Sequence, residues 1–160
     1  MIDAMDRAAG LTPDNPLFEA RRLRPEFVQG AELCRLSVLT PRHGLGLETG
    51  LRIALARRIA ALNADEILVA DYDAQLAEHD PSGQFLALSQ GAEGLDEPLA
   101  TIARHVDLIT STPSKAAASD ITRLTEAGLD NPQIVALSEL IAFVNFQTRV
   151  ATGLRLMRAS

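Results

Sequence analysis

The chain of 160 residues has no tryptophan, one tyrosine and one cysteine, and Lys115 is its only lysine. Each scarcity excludes something. With Cys34 alone there can be no intrachain disulfide, no CxxC redox pair and no cysteine-rich zinc site. Aromatics at 4% leave a core to be built from Ala and Leu side chains, a composition that favours helix packing over sheets. A net charge of −6 and a pI near 5.0 argue against a polyanion, because phosphate binding needs clustered cations. No nucleic-acid partner is expected. No run of about 18 uninterrupted apolar residues occurs, and "MIDAMDRAAG" carries acids where a signal peptide has an apolar segment. No membrane span is expected, and one cytoplasmic domain is the simplest reading of length and composition.

What is present is helical spacing. Turn chemistry at Pro13, Asp14, Asn15 and Pro16 precedes a short helical piece from about Leu17, and Pro25 suits the first position of the next helix. There Phe27, Ala31, Cys34 and Val38 recur at steps of four, three and four, which predicts one inward stripe and a buried Cys34 acting as a small hydrophobe. "TPRHGLGLET" reads as a connection with His43 solvated inside it. A long helix is predicted from Leu47 to about Asn63, with Leu51, Leu55, Ile59 and Leu62 inward and Arg52, Arg57 and Arg58 on other faces. Asn63-Ala64-Asp65 breaks it, since Asn ends helices well and Asp caps the next one. That next helix, about Glu66 to Glu78, places Ile67, Leu68, Tyr72 and Leu76 near one face, and "HDPSG" turns after it.

Further helices are predicted from about Pro98 to Thr110, with His105 packed beside the apolar stripe, and from Ile121 to Ala127, capped by Ser119 or Asp120 and stopped by Gly128. Asp130 and Pro132 start the last, about Asn131 to Arg158, which is apolar on much of its circumference and must be central or lie in a subunit contact. Strand alternation is absent. The expected architecture is an all-α bundle of about six helices.

Three stretches, in order, carry a family resemblance: "RPEFVQGAELCRLSVLTPRHGLGLETGLRIALARRIAALN", "DEPLATIARHVDLITSTPSKA" and "SDITRLTEAGLDNPQIVALSELIAFVNFQTRVATGL". Together they resemble the alkylhydroperoxidase D-like (AhpD-like, carboxymuconolactone decarboxylase-like) family and its peroxidase-related branch, with Asn145 and Arg149 at the family's C-terminal Asn and Arg. The resemblance implies an all-α fold and a homo-oligomer, whether dimer, trimer or hexamer. In active members it implies a CxxCxxxH motif at a helix start, where the dipole and a His/Glu relay generate a thiolate that attacks peroxide. Placed through Asn63, the two cysteines fall at Asp65 and Leu68, the histidine at Tyr72 and the relay glutamate at Ile53. All four are replaced. A carboxylate neither takes an oxygen atom from peroxide nor forms a disulfide, so the family's thiol chemistry is not expected.

Two kinds of function remain. One is a non-redox binder or acid/base enzyme using the inter-helix site around Asp65, with Glu66, Asp71, Tyr72 or His79 as its polar groups and no metal or cofactor. The decarboxylase branch's Glu followed four residues later by His is not reproduced, since Glu66 is followed by Ala70. The other is an oligomeric scaffold, including partnership with a cysteine-bearing paralogue, in which Asn145 and Arg149 orient helices. A peroxidase-related oxidoreductase relying on Cys34 would need an external thiol.

Overall fold

A computed structural model describes residues 1–79 and 83–159. Among these the chain is all-α, with nine α-helices, one 3-10 turn and no strand. The helices are α1 (Ala4–Ala9), α2 (Pro16–Arg22), α3 (Pro25–Leu39), α4 (Thr49–Leu62), α5 (Glu66–Glu78), α6 (Gly83–Ser89), α7 (Leu99–Ser111), α8 (Ala118–Glu126) and α9 (Asn131–Ala159). The centre of the expected "HDPSG" turn, residues 80–82, lies outside the described residues.

The class is as expected, but the count is higher. The unforeseen elements, α1 and α6, have six and seven residues, too few for an apolar period to show. What makes α1 a helix is its start: Asp3 accepts from the Asp6 N–H and Asp6 accepts from the Asp3 N–H, a reciprocal cap. Aspartate at position 130 does the same for α9 with Gln133, at 2.9 Å in both directions.

Helix α4 is the centre of the bundle and packs on α5, α6, α7 and α9. Leu51, Ile53, Ala54, Leu55, Ala56, Ile59 and Ala60 are all buried, so the helix has almost no solvent face. The spacing placed Arg52 and Arg58 away from the core, yet both are buried. Their charges are matched instead of exposed. Arg52 donates to two loop carbonyls, Leu47 O (2.7 Å) and Gly44 O (2.8 Å), and to Val38 O (2.9 Å) at the end of α3, stitching the α3–α4 connection onto α4. Arg58 grips both oxygens of Asp107 on α7 at 2.7 Å and the Leu88 carbonyl of α6.

Helix α9 spans the molecule. Ile134, Leu137, Leu140, Ile141, Val144 and Ala151 are buried against α3, α4 and α7. It is the one helix among the described residues long and apolar enough to cross a membrane, and 61% of its apolar window is buried in protein, the pattern of a core helix. Over its C-terminal end sits an arm formed by α1 and α2. Ala9, Leu11 and Phe18 form a small apolar cluster there, and Arg155 and Arg158 donate to the Ala8 and Gly10 carbonyls. Asp6, fully buried, is held by Arg21 and Arg22. Burial works to raise its pKa, but Arg22, the Asp3 N–H and Arg21 outweigh it and hold the carboxyl below its ordinary range.

One stripe turned out to face outward. On α3, Val38 is buried, but Phe27 and Cys34 are exposed, because the groove they line against α9 has no roof among the described residues. The spacing was that of a helix with one apolar face; which neighbour covers such a face is not written in a period of 3.6.

Candidate functional site

The corner between α4 and α5 is built by the backbone. Asn63 ends α4, the Ala64 N–H reaches Ala61 O (2.9 Å) and the Asp65 N–H reaches Ala60 O (3.0 Å). This paired closure puts Ala64 in the left-handed region, at φ 54°. Asp65 then caps α5 by accepting from the Leu68 N–H at 3.2 Å, and its other oxygen pairs with Arg155 at 2.7 Å. The carboxylate at the first cysteine position is therefore bound twice, once to a helix start and once to the end of α9.

The other two replaced positions are also inside. Leu68 is fully buried, which alone stabilises the fold by about 2 kcal/mol. Tyr72 is 1% exposed and donates from its hydroxyl to Gln147 Oε1 at 2.5 Å. Burial pushes its phenol well above the ordinary range, with Asp71 and Asp65 adding to the rise and Arg35 opposing it. Ile53, at the relay position, is core. The remaining polar residues singled out by the sequence do not converge. Glu66 is exposed, Asp71 accepts from Gln75 one turn on, and His79 is exposed at the far end of α5, about 20 Å of helix from Asp65. Neither of the two large hollows in the surface is lined by Asp65, Leu68 or Tyr72.

The first of those hollows is a cleft of about 660 Å³ where α7, α8 and α9 meet. Its walls are mainly apolar, including Ile109, Ile121 and Ile141, and its polar groups are His105, Asp120, Ser138, Asn145 and Arg149. Asn145 is a strut. It accepts from Asn63 Nδ2 at 3.1 Å and donates to Ile141 O, tying the α4 corner to α9. Asp120 accepts from the Ala117 N–H at 2.9 Å and pairs with Arg123; the Ala117 contact first, then Arg123 and Arg104, holds its carboxyl below the usual range against the effect of burial. Asp120 thus closes the first turn of α8 from within, at its third position and not at the cap expected of it or of Ser119, because α8 starts at Ala118 after the N-cap Ala117.

His105 differs from its neighbours. It is 3% exposed, lines the cleft, and its Nδ1 is fully buried with no hydrogen-bond partner. Burial, with Arg104, lowers its pKa against the pull of Asp120, so the imidazole is neutral at pH 7, with one nitrogen donating and the other accepting. Arg149, expected to orient helices, is exposed at the cleft mouth with no ion pair or hydrogen bond among the described residues. The sequence had a faint signal for this site: His105 stands one step off the stripe Ile102, Val106 and Ile109, and Asn145 and Arg149 are four apart on one helix.

The second hollow, about 650 Å³, lies between α3 and α9 and contains Phe27, Cys34, Ala142 and Phe146. Burial and the nearby Glu139 carboxylate raise the Cys34 thiol above its ordinary pKa, the opposite of what a peroxide-reducing thiol requires. Among the described residues no group of three or more His, Cys, Asp or Glu side chains is arranged to hold a metal ion. In comparisons with known proteins, no family model and no curated protein matches the chain.

Proposed function

We propose that the chain is a cytoplasmic, non-redox small-molecule-binding protein of the alkylhydroperoxidase D-like type, whose ligand enters the α7–α8–α9 cleft and hydrogen-bonds to His105. The observation that carries this reading is His105 Nδ1: buried, on an uncharged ring and unpartnered, in the wall of a mainly apolar cleft. An unsatisfied buried polar group costs about 1–3 kcal/mol, and because Nδ1 has no solvent-accessible surface, a hydroxyl or amide entering the cleft recovers that cost only by turning the ring or parting the side chains around it. The fitting ligand is compact and mostly apolar with one hydrogen-bonding group. The absence of thiol chemistry is supported separately by the structural ties of Asp65, Leu68 and Tyr72 and by the raised pKa of Cys34.

The test uses phenol, benzyl alcohol and benzamide as probes, followed by the side-chain 15N resonances of His105 and the methyl resonances of Ile109, Ile121 and Ile141. At least one probe is expected to shift both sets at millimolar concentration and to lose that effect in His105→Phe. If all three leave the imidazole and the methyls unmoved, the reading is wrong. Peroxide consumption with a dithiol reductant is expected to stay at the background rate, and turnover that vanishes in Cys34→Ser would restore the redox alternative.

A further inference from the structure

The outward face of α9 carries a second pattern, which shares Ala142 and Arg149 with the rim of the cleft but does not involve His105. Val135, Glu139, Ala142, Phe146, Arg149, Gly153 and Leu156 recur at alternating steps of four and three over three heptads. That is the seam of a two-stranded coiled coil. None of the seven is buried, and Val135, Phe146 and Leu156 are 57%, 44% and 69% exposed. A core helix needs no such stripe on its solvent side. Four of its seven residues, Val135, Ala142, Phe146 and Leu156, carry apolar side chains, and Glu139 and Arg149 set one anion and one cation among them, the make-up of a mixed apolar and charged interface.

We infer that α9 pairs with α9 of a second copy of this chain, antiparallel, about a two-fold axis level with residue 144. The register follows from the sequence itself. With the axis at that level, Glu139 faces Arg149 of the second copy and Arg149 faces its Glu139. Ala142 faces Phe146 of the second copy, a methyl group opposite the bulkiest side chain of the seam, and Val135 faces Gly153. Each pairing occurs twice, as a two-fold interface demands. Sliding the partner by one heptad breaks the charge match and sets Phe146 against Val135 or Arg149 instead of Ala142.

The charges point to the same occupant. Neither Glu139 nor Arg149 has an ion pair or hydrogen bond among the described residues. They are ten residues apart on one rigid helix, about 15 Å, and cannot reach each other within a chain. A second copy presents each with its opposite. Phe146 is already tilted against Phe143, ring centroids 6.1 Å apart, at the edge of the groove between α3 and α9. Phe27, exposed on the opposite wall of that groove, extends the apolar face towards the area of about 800 Å² per partner that a stable dimer buries.

Charge reversal gives a test that an accidental face does not pass. In sedimentation equilibrium on the full chain, the wild type is expected to be dimeric at about 100 µM, a concentration that populates even a micromolar dimer. Glu139→Arg and Arg149→Glu are each expected to weaken the dimer tenfold or more, because each places like charges together twice. The two single variants mixed in equal amounts are expected to form a heterodimer, since one then carries two cations and the other two anions at the paired positions. The double variant is expected to recover the dimer. Circular dichroism of each variant checks that the fold is intact; both sites are exposed, so the helical signal should not change. A wild type that is monomeric at this concentration, an assembly of any order indifferent to both reversals, or a mixture and double variant that stay as weak as the singles overturns the inference. None of these outcomes depends on His105, so the dimer and the ligand reading stand or fall separately.

Discussion

Asn145 on α9 accepts a hydrogen bond from Asn63 at the end of α4, 3.1 Å away in space and 82 residues away in sequence. Asn63 at the same time donates to Ile59 O, and Asn145 to Ile141 O, so each amide closes its own helix while holding the other. Asn145→Ala is expected to cost about 0.5–1.5 kcal/mol in chemical denaturation, because it removes one of the two acceptors of the Asn63 amide in a half-buried corner. In a double-mutant cycle with Asn63→Ala the coupling is expected to be about 0.5–1.5 kcal/mol. Additive effects would mean that the contact holds nothing.

Tyr72→Phe removes the donor to Gln147 Oε1 inside the bundle. The expected loss is about 1–3 kcal/mol, and Tyr72→Phe with Gln147→Leu should lose less than the two changes summed, since replacing both partners removes the stranded group. Urea unfolding of the four proteins in the cycle reads this directly; an additive result contradicts the pairing.

Ala64 occupies a left-handed turn position where glycine is at home, at φ 54°. Strain there exceeds the extra flexibility that glycine brings to the unfolded chain, so Ala64→Gly is expected to stabilise the protein by about 0.5–1 kcal/mol. A lowered melting temperature would show that the Ala64 methyl makes contacts worth more than the strain.

His105 ties stability to pH. Its folded pKa lies below the ordinary 6.5, because burial and Arg104 outweigh Asp120. Between that lowered value and 6.5 the unfolded chain binds a proton that the folded protein refuses. Stability is therefore complete above pH 6.5 and declines as pH falls below it, by at most about 1.4 kcal/mol per pH unit for one proton. Urea midpoints between pH 7.5 and 5.5 should fall in the wild type and hold nearly level in His105→Phe. Parallel curves would place the titrating group elsewhere.

Much of the fold was legible because it rests on short-range chemistry. The Asn63-Ala64-Asp65 break, the Glu66–Glu78 helix and the Gly128 stop follow from caps and turns, and the structure has them where expected. Burial was less legible. Arg52 is hidden because carbonyls of the preceding loop and of the end of α3 meet its guanidinium, and Cys34 is exposed because none of the described residues lies over its groove. Both facts depend on what packs against a helix, which its own period does not encode. The candidate site moved for the same reason: Tyr72 found its partner in Gln147, 75 residues away, while His105, set down as a packed residue, was left without one.

Ala142 lines both the cleft beside His105 and the groove beside Phe146. A ligand that displaces this residue would change the association constant by the same factor by which association changes the ligand's affinity, because linkage is mutual. Position 142 is where the two equilibria would exchange information.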